Sequence, residues 1–299
     1  MAVFLTMRSI TVTEHIHPQL DPQIPAAIPA LLPQFLQLQR SARASVATGI
    51  KGWDAHTGGL FPGLHILGAR PNVGKTTLAL QICLLAAKSG LPSLFLSFDE
   101  SPAQLTGKAA AMAAGIGQSR LRTEEGLQAL EHAAEGLHEQ LTPVRFLGGH
   151  AEVSGSSAAA SLRNLMKVSG KQSGLIVVDF LQIWAARRSQ GDFRKATSEC
   201  VAELQDAVRA ANVPVLAICA LNRDGYDKPS MSALRESSDL EYLADTVTLM
   251  AEDEQRPVGG LRKALTLHLV KNRRGPAGKQ INLLFDGEMS RFHEDGAYA

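Results

Sequence analysis

Residues 64–80 read LHILGARPNVGKTTLAL, and the fold is decided here. The stretch opens on a short apolar run (64–68) and passes through a loop holding proline and glycine. It continues into TLALQICLLAAKSG (77–90), where Leu78, Ile82 and Leu85 share one helical face. Strand, loop and helix in that order are what phosphate binding asks for, because the backbone N–H groups of the loop and the helix N-terminus converge on phosphate oxygens. The core is Ala69-x-x-x-x-Gly74-Lys75-Thr76, with alanine where the general motif G-x-x-x-x-G-K-[ST] opens on glycine. The nucleotide-binding residues expected from it are Ala69, Arg70, Pro71, Asn72, Val73, Gly74, Lys75, Thr76 and Thr77. Lys75 brings positive charge to the β- and γ-phosphates, and the Thr76 hydroxyl ligates Mg²⁺. Gly74 lets the backbone approach the phosphates without a Cβ in the way. ATP and Mg²⁺ are the ligands expected.

Outward from this loop, strands and helices alternate. SLFLSF (93–98), LIVVD (175–179), PVLAIC (214–219), TVTLM (246–250), ALTLHLV (264–270) and QINLLF (280–285) read as strands. LIVVD is apolar throughout, as a strand buried on both faces should be. Helical patterns cover residues 102–114, 124–140, 157–169 and 194–211. KNRRGPAG (271–278) has the composition of a hairpin turn or bulged loop. The fold class expected is α/β: a mostly parallel twisted sheet with helices on both faces and a late antiparallel hairpin. Asp179 ends LIVVD about 100 residues after the loop, and an acid at the carboxyl end of a parallel strand sits beside the ligand crevice. It is the second expected Mg²⁺ residue. Hydrolysis also needs a carboxylate to orient water, and Asp99 and Glu100, just after SLFLSF, are both candidates.

The chain has 299 residues, enough for a sizeable core in one large α/β domain or two modest ones, and a formal net charge of +1, so bulk charge announces no nucleic-acid partner. Neither an apolar run of membrane-spanning length nor a secretory leader is evident, which makes a cytoplasmic protein the default expectation. Cys83, Cys200 and Cys219 lie far apart and are expected to pack as small apolar groups. Five prolines in residues 18–33 argue against a stable helix and for an extended arm. Residues 34–45 have the pattern of a short amphipathic helix. The domain division expected is an arm with a possible linker helix (1–45) and a motor domain (46–299).

Six stretches in order carry a resemblance: TGIKGWDAHTGGLFPG, ARPNVGKTTLALQ, LIVVDFLQI, VPVLAICALNR, ALRESSDLEYLAD and KNRRGPAG…LLFDGEMSRF. Over residues 48–292 the chain resembles the C-terminal motor domain of DnaB-type replicative helicases, within the RecA-like ATPases. Ala69 fits that family's loop, A/G-R-P-x-x-G-K-T. The loop alone would also suit the RadA- and KaiC-like branches, whereas the last two stretches favour DnaB. The resemblance implies a homo-oligomeric ring, usually of six subunits, with ATP between neighbours and Lys271 and Arg273 reaching the neighbour's γ-phosphate. It further implies single-stranded DNA in the central channel, contacted from residues 184–195 (Arg187, Arg188, Arg194, Lys195) and 223–231 (Arg223, Lys228). Replication or loader proteins are possible partners.

The sequence departs from the family in three places. Ala220 stands where the family has a glutamine that senses the γ-phosphate, and a methyl group makes no hydrogen bond. Direct alignment puts Asp99 at the general-base position, with Glu100 one residue on. A proline-rich arm is expected ahead of the motor, where the family has a globular N-terminal domain. The leading expectation is therefore an ATP-dependent helicase motor. Its alternatives are a RecA-fold ATPase acting in recombination or loading without processive unwinding, and a nucleotide-switched binding module.

Overall fold

The computed structural model describes residues 45–150, 152–222, 229–234, 238–256 and 258–295, together with Ile28, Leu32, Pro33 and Leu36. Residues 1–41 and 42–299 are separate compact units. In the first unit Ile28, Leu32 and Pro33 are helical, where the proline spacing predicts an extended arm, and Leu36 is helical within the helix expected over 34–45, most of which lies outside the described residues. Ile28, Leu32 and Leu36 recur every fourth residue and so fall on one helical face, a periodicity that the prolines mask.

Among the described residues of the second unit, nine strands form one sheet. In chain order they are β1 (Gly63–Ala69), β2 (Ser93–Ser97), β3 (Val144–Gly148), β4 (Leu175–Asp179), β5 (Pro214–Ala220), β6 (Thr246–Glu252), β7 (Arg262–Asn272), β8 (Lys279–Asp286) and β9 (Arg291–Glu294). The spatial order is β3-β2-β4-β5-β1-β6-β7-β8-β9. Strands β3 to β6 in that order run parallel, and β6 to β9 are antiparallel neighbours. Strands β1, β2 and β4 are buried at every position, which is why they read as mostly apolar runs, with His65, Ser93, Ser97 and Asp179 as their buried polar members.

The helices are α1 (Lys51–Thr57), α2 (Lys75–Lys88), α3 (Pro102–Ala114), α4 (Glu124–Leu141), α5 (Gly155–Ser169), α6 (Leu181–Arg188), α7 (Phe193–Ala211) and α8 (Ser238–Leu243). Two apolar cores flank the sheet. One joins α5, α6 and α7 to its first face through Leu162, Trp184, Val201 and Leu204. The other joins α1, α2 and α3 to the opposite face through Trp53, Leu78, Ile82 and Leu105. Cys200 and Cys219 lie in the first core and Cys83 in the second, all three buried as free thiols. Burial pushes the Cys83 and Cys219 thiols up to about 12, so they pack as apolar groups. Among the described residues no helix is long and apolar enough to cross a membrane.

The strand β9 and the helices α1 and α8 were not expected from the sequence, and two further differences have a clear physical cause. The segment 184–195, expected as a DNA-contacting loop, is mostly helical: α6 runs to Arg188 and α7 begins at Phe193. Its apolar residues explain this, since Trp184 and Ala185 are fully buried and anchor α6 on the sheet. Strand β3 carries no apolar run, because its burial alternates along a sheet edge.

Candidate active site

All six parallel strands point their carboxyl ends at one edge of the sheet, and the loop residues gather there. The turn after β1 holds Asn72 at φ 62° and Gly74 at φ 100°. Gly74 is required for two reasons. Its backbone is left-handed, and a Cβ there would stand 2.8 Å from Phe292 Cζ. The sequence reading had only the phosphate side of this residue. No side chain caps helix α2 at Gly74, so the first N–H groups of the helix face the cavity with their partial positive charge.

The cavity is about 480 Å³, within the range of small-ligand sites. Pro71, Asn72, Gly74, Lys75, Thr76 and Thr77 line it, with Asp99, Glu100, Asp179 and Ala220 opposite. The remaining loop residues face elsewhere. Ala69 is buried at the end of β1, Val73 is buried in the core beneath, and the Arg70 side chain pairs with Glu252 at 2.7 Å. Lys75 Nζ donates to the carbonyls of Ala69 (2.9 Å) and Arg70 (2.8 Å), which holds the ammonium at the loop. Burial lowers its pKa, against the pull of nearby Asp179.

Asp179 is 1 % exposed. Burial raises its pKa to about 6; the Thr76 hydrogen bond works against this, while Glu100 and Asp99 add to it. Its Oδ2 is buried without a hydrogen-bond partner. A carboxylate kept dry beside a threonine hydroxyl, with one oxygen uncommitted, fits a hard divalent cation such as Mg²⁺. Thr76 and Asp179 are the residues that would hold it. Bound there, the ion would offset phosphate charge.

Glu100 and Asp99 are not equivalent. Glu100 is half-buried and pairs with Lys108 at 2.6 Å, while Asp99 is exposed. Lys108, which the sequence reading missed, comes from α3 and lines the same cavity. Phe180 and Phe285 also line it unannounced. At the position where a glutamine was expected, Ala220 is held by its backbone instead: Gln182 Nε2 donates to its carbonyl (3.0 Å), and its N–H donates to Gln182 Oε1 (3.1 Å). The Gln182 amide thereby fixes the end of β5 beside the cavity.

Lys271 and Arg273 lie at the opposite edge. Thr246, the first residue of β6, pairs with Asn272, and Arg273 N–H donates to the Asp245 carbonyl. Seven residues of β1 separate this edge from the loop, about 20 Å at strand rise. Lys271 Nζ donates to the carbonyls of Glu241 and Tyr242, and Arg273 donates to that of Tyr242 and faces Asp245 at 3.5 Å. Neither side chain reaches the cavity of its own chain.

The basic residues expected to grip DNA divide into three groups. Arg187 is committed to the carbonyls of Phe98 (2.6 Å) and Gly149, and Arg188 to Glu203 (2.6 Å) over the Trp184 ring. Arg194 and Lys195 are exposed on the first turn of α7. Arg223 and Lys228 lie outside the described residues.

Comparison with known proteins shows the family and the fold. The family model for the DnaB-like helicase C-terminal domain matches residues 45–294. The replicative DNA helicase DnaB of Pasteurella multocida is 31% identical over 257 residues, covering 83% of this chain and 55% of the relative. The replicative DNA helicase DnaC of Bacillus subtilis is 31% identical over 259 residues, covering 83% and 56%. The chain thus spans about half the length of these relatives. Among solved structures, an isolated ATPase domain superposes with a TM-score of 0.75 at 20% identity, covering 90% of this chain and 99% of that one. A DnaB-like replicative helicase studied with primase gives 0.73 at 20% identity, covering 90% and 67%. A KaiC-like protein from Pyrococcus horikoshii gives 0.57 at 16%, covering 84% and 98%. With its RecA-like sheet, its phosphate loop and a family match from residue 45 to residue 294, the chain belongs to the DnaB-like helicase C-terminal domain family.

Proposed function

We propose that this chain is an ATP-hydrolysing helicase motor that works as a ring, hexameric in keeping with its family, and moves on single-stranded DNA. One observation carries the reading: the phosphate loop and its carboxylates occupy one edge of the sheet, while Lys271 and Arg273 occupy the other. A site complete in both parts needs two chains, each offering its amino edge to the next one's carboxyl edge. In that site Lys75 and the α2 N-terminus bind the phosphates, and Thr76 with Asp179 hold Mg²⁺. Glu100 is favoured over Asp99 to orient the attacking water, because it lines the cavity half-buried and is braced by Lys108. Arg273 and Lys271 from the neighbour meet the charge that develops on the transferring phosphoryl group. Of the described residues expected at DNA, Arg194 and Lys195 are exposed enough to meet its backbone, and contacts of that kind weaken with salt.

Mixing variants tests the shared site. Lys75→Ala and Arg273→Ala are each inactive alone on this reading. Mixed, they form some interfaces that pair an intact loop with an intact arginine, so ATP hydrolysis returns. Activity that stays absent in the mixture, with assembly intact, counts against a shared site. Forked DNA with ATP and Mg²⁺ then separates the helicase reading from a DNA-dependent ATPase of recombination or loading, which turns over without strand displacement.

A further inference from the structure

Arg70 is the second residue of the phosphate loop, yet its guanidinium turns away from the cavity. Nη2 donates to Glu252 Oε2 at 2.7 Å. The other carboxylate oxygen, Oε1, accepts from Lys263 Nζ at 3.0 Å. Exposed ion pairs contribute little, but this one differs in two respects. The Arg70 and Glu252 side chains are only 34 % and 21 % exposed, and both oxygens of Glu252 are engaged. Burial alone would raise the Glu252 carboxyl; Lys263 and then Arg70 outweigh it and hold the group below its usual range. The contact also reaches the catalytic lysine in one step, because the Arg70 carbonyl accepts from Lys75 Nζ at 2.8 Å.

The placement of these residues gives the contact its meaning. Glu252 ends β6, one of the two strands flanking β1. Lys263 lies near the start of β7, and Lys271 near the end of the same 11-residue strand. One end of β7 is therefore linked through Glu252 to this chain's own phosphate loop, and the other carries the cations assigned above to the neighbour's phosphates. β7 is hydrogen-bonded on both sides, to β6 and β8.

We propose that Glu252 is a positioning residue for nucleotide binding, holding the loop through Arg70 and tying it through Lys263 to β7. The proposal rests on the reading of this loop as the ATP site. A loop left less often in its binding-competent shape loses apparent affinity in proportion to the fraction lost. Binding of a fluorescent ATP analogue with Mg²⁺ to the full chain is measured first, and ATP hydrolysis second. Glu252→Gln keeps the size and removes the charge. It is expected to weaken binding about tenfold and to raise KM in parallel, with kcat falling less than about twofold. Arg70→Gln gives the same loss, and the double variant gives no more than either alone. Lys263→Ala moves binding in the same direction by less, and decides the question should Glu252→Gln fail to fold. Binding by Glu252→Gln as tight as in the unaltered chain overturns the proposal, and so do losses that add in the double variant. A chain that binds the analogue without hydrolysing ATP breaks the function proposed above, yet leaves these binding measurements to decide the role of Glu252.

Discussion

The two edges of the parallel sheet are built from the same strands and do opposite things. At the carboxyl edge, Lys75, Thr76, Asp179 and Glu100 converge on a cavity of about 480 Å³, and one carboxylate oxygen is left buried without a partner. At the amino edge, Lys271 and Arg273 rest on backbone carbonyls of α8 and on Asp245, beside a cavity of about 200 Å³ that lacks a phosphate loop. One edge has the loop, its lysine and a cluster of acids; the other has Lys271 and Arg273 beside Asp245. On the proposed reading, the difference teaches that a single chain presents two unlike halves of one site, turned away from each other.

The strongest way to break this comparison is Arg273→Ala. If the amino edge serves a neighbour's phosphates, turnover falls by on the order of 10³-fold, as for other arginines supplied across an interface. Nucleotide affinity changes far less. Steady-state hydrolysis and analogue binding measured side by side check this, and an equal loss of both places Arg273 in the binding half instead. Lys75→Ala makes the complementary case. Removing the charge at the loop weakens ATP binding by roughly 100-fold, the scale of a lost charge-assisted contact. Equilibrium binding reads this, and full affinity in the variant removes Lys75 from the phosphates.

The third prediction concerns stability. His65 is buried on β1 beneath the amino edge, bonded to Thr246 (2.8 Å) and the Phe61 carbonyl (2.7 Å). Burial lowers its pKa to about 4 from 6.5. The unfolded chain therefore binds the proton more readily, and stability falls as pH drops from about 6.5 towards 4, by about 3 kcal/mol from this group. His65→Gln keeps both hydrogen-bonding ends and removes the titration. Denaturant melts of the two chains compared between pH 7 and 4.5 should converge as pH falls, and parallel curves count against the assignment.

Much of this was legible in the sequence for a physical reason. Strands buried on both faces cannot hide, so β1, β4 and β5 stand within a residue or two of where their apolar runs lie. The phosphate loop is local, its parts within eight residues of one another. What was not legible joins distant residues or lacks periodicity. Gln182 meets Ala220 across 38 positions, and Arg70 meets Glu252 across 182. Nothing in the local pattern of α3 singles out Lys108, and only packing aims it at Glu100. Helix α1, seven residues long, is too short for its pattern to register, and the edge strand β3 alternates in burial. The partners of Arg187 and Arg188 were not legible either: a run of cations in the sequence does not show the carbonyls and carboxylate that meet them.

The separation of the two edges by the length of β1 also has an arithmetic. Unlike halves on opposite sides of a chain join head to tail, so no pair related by a two-fold axis can complete a site. On the proposed reading a lone chain has no working site, and an open row of n chains has n−1. Only closure gives every chain one. Specific activity then depends on protein concentration, rising from near zero when dilute to a plateau at ring closure. That dependence would set the lowest concentration at which this protein works at all.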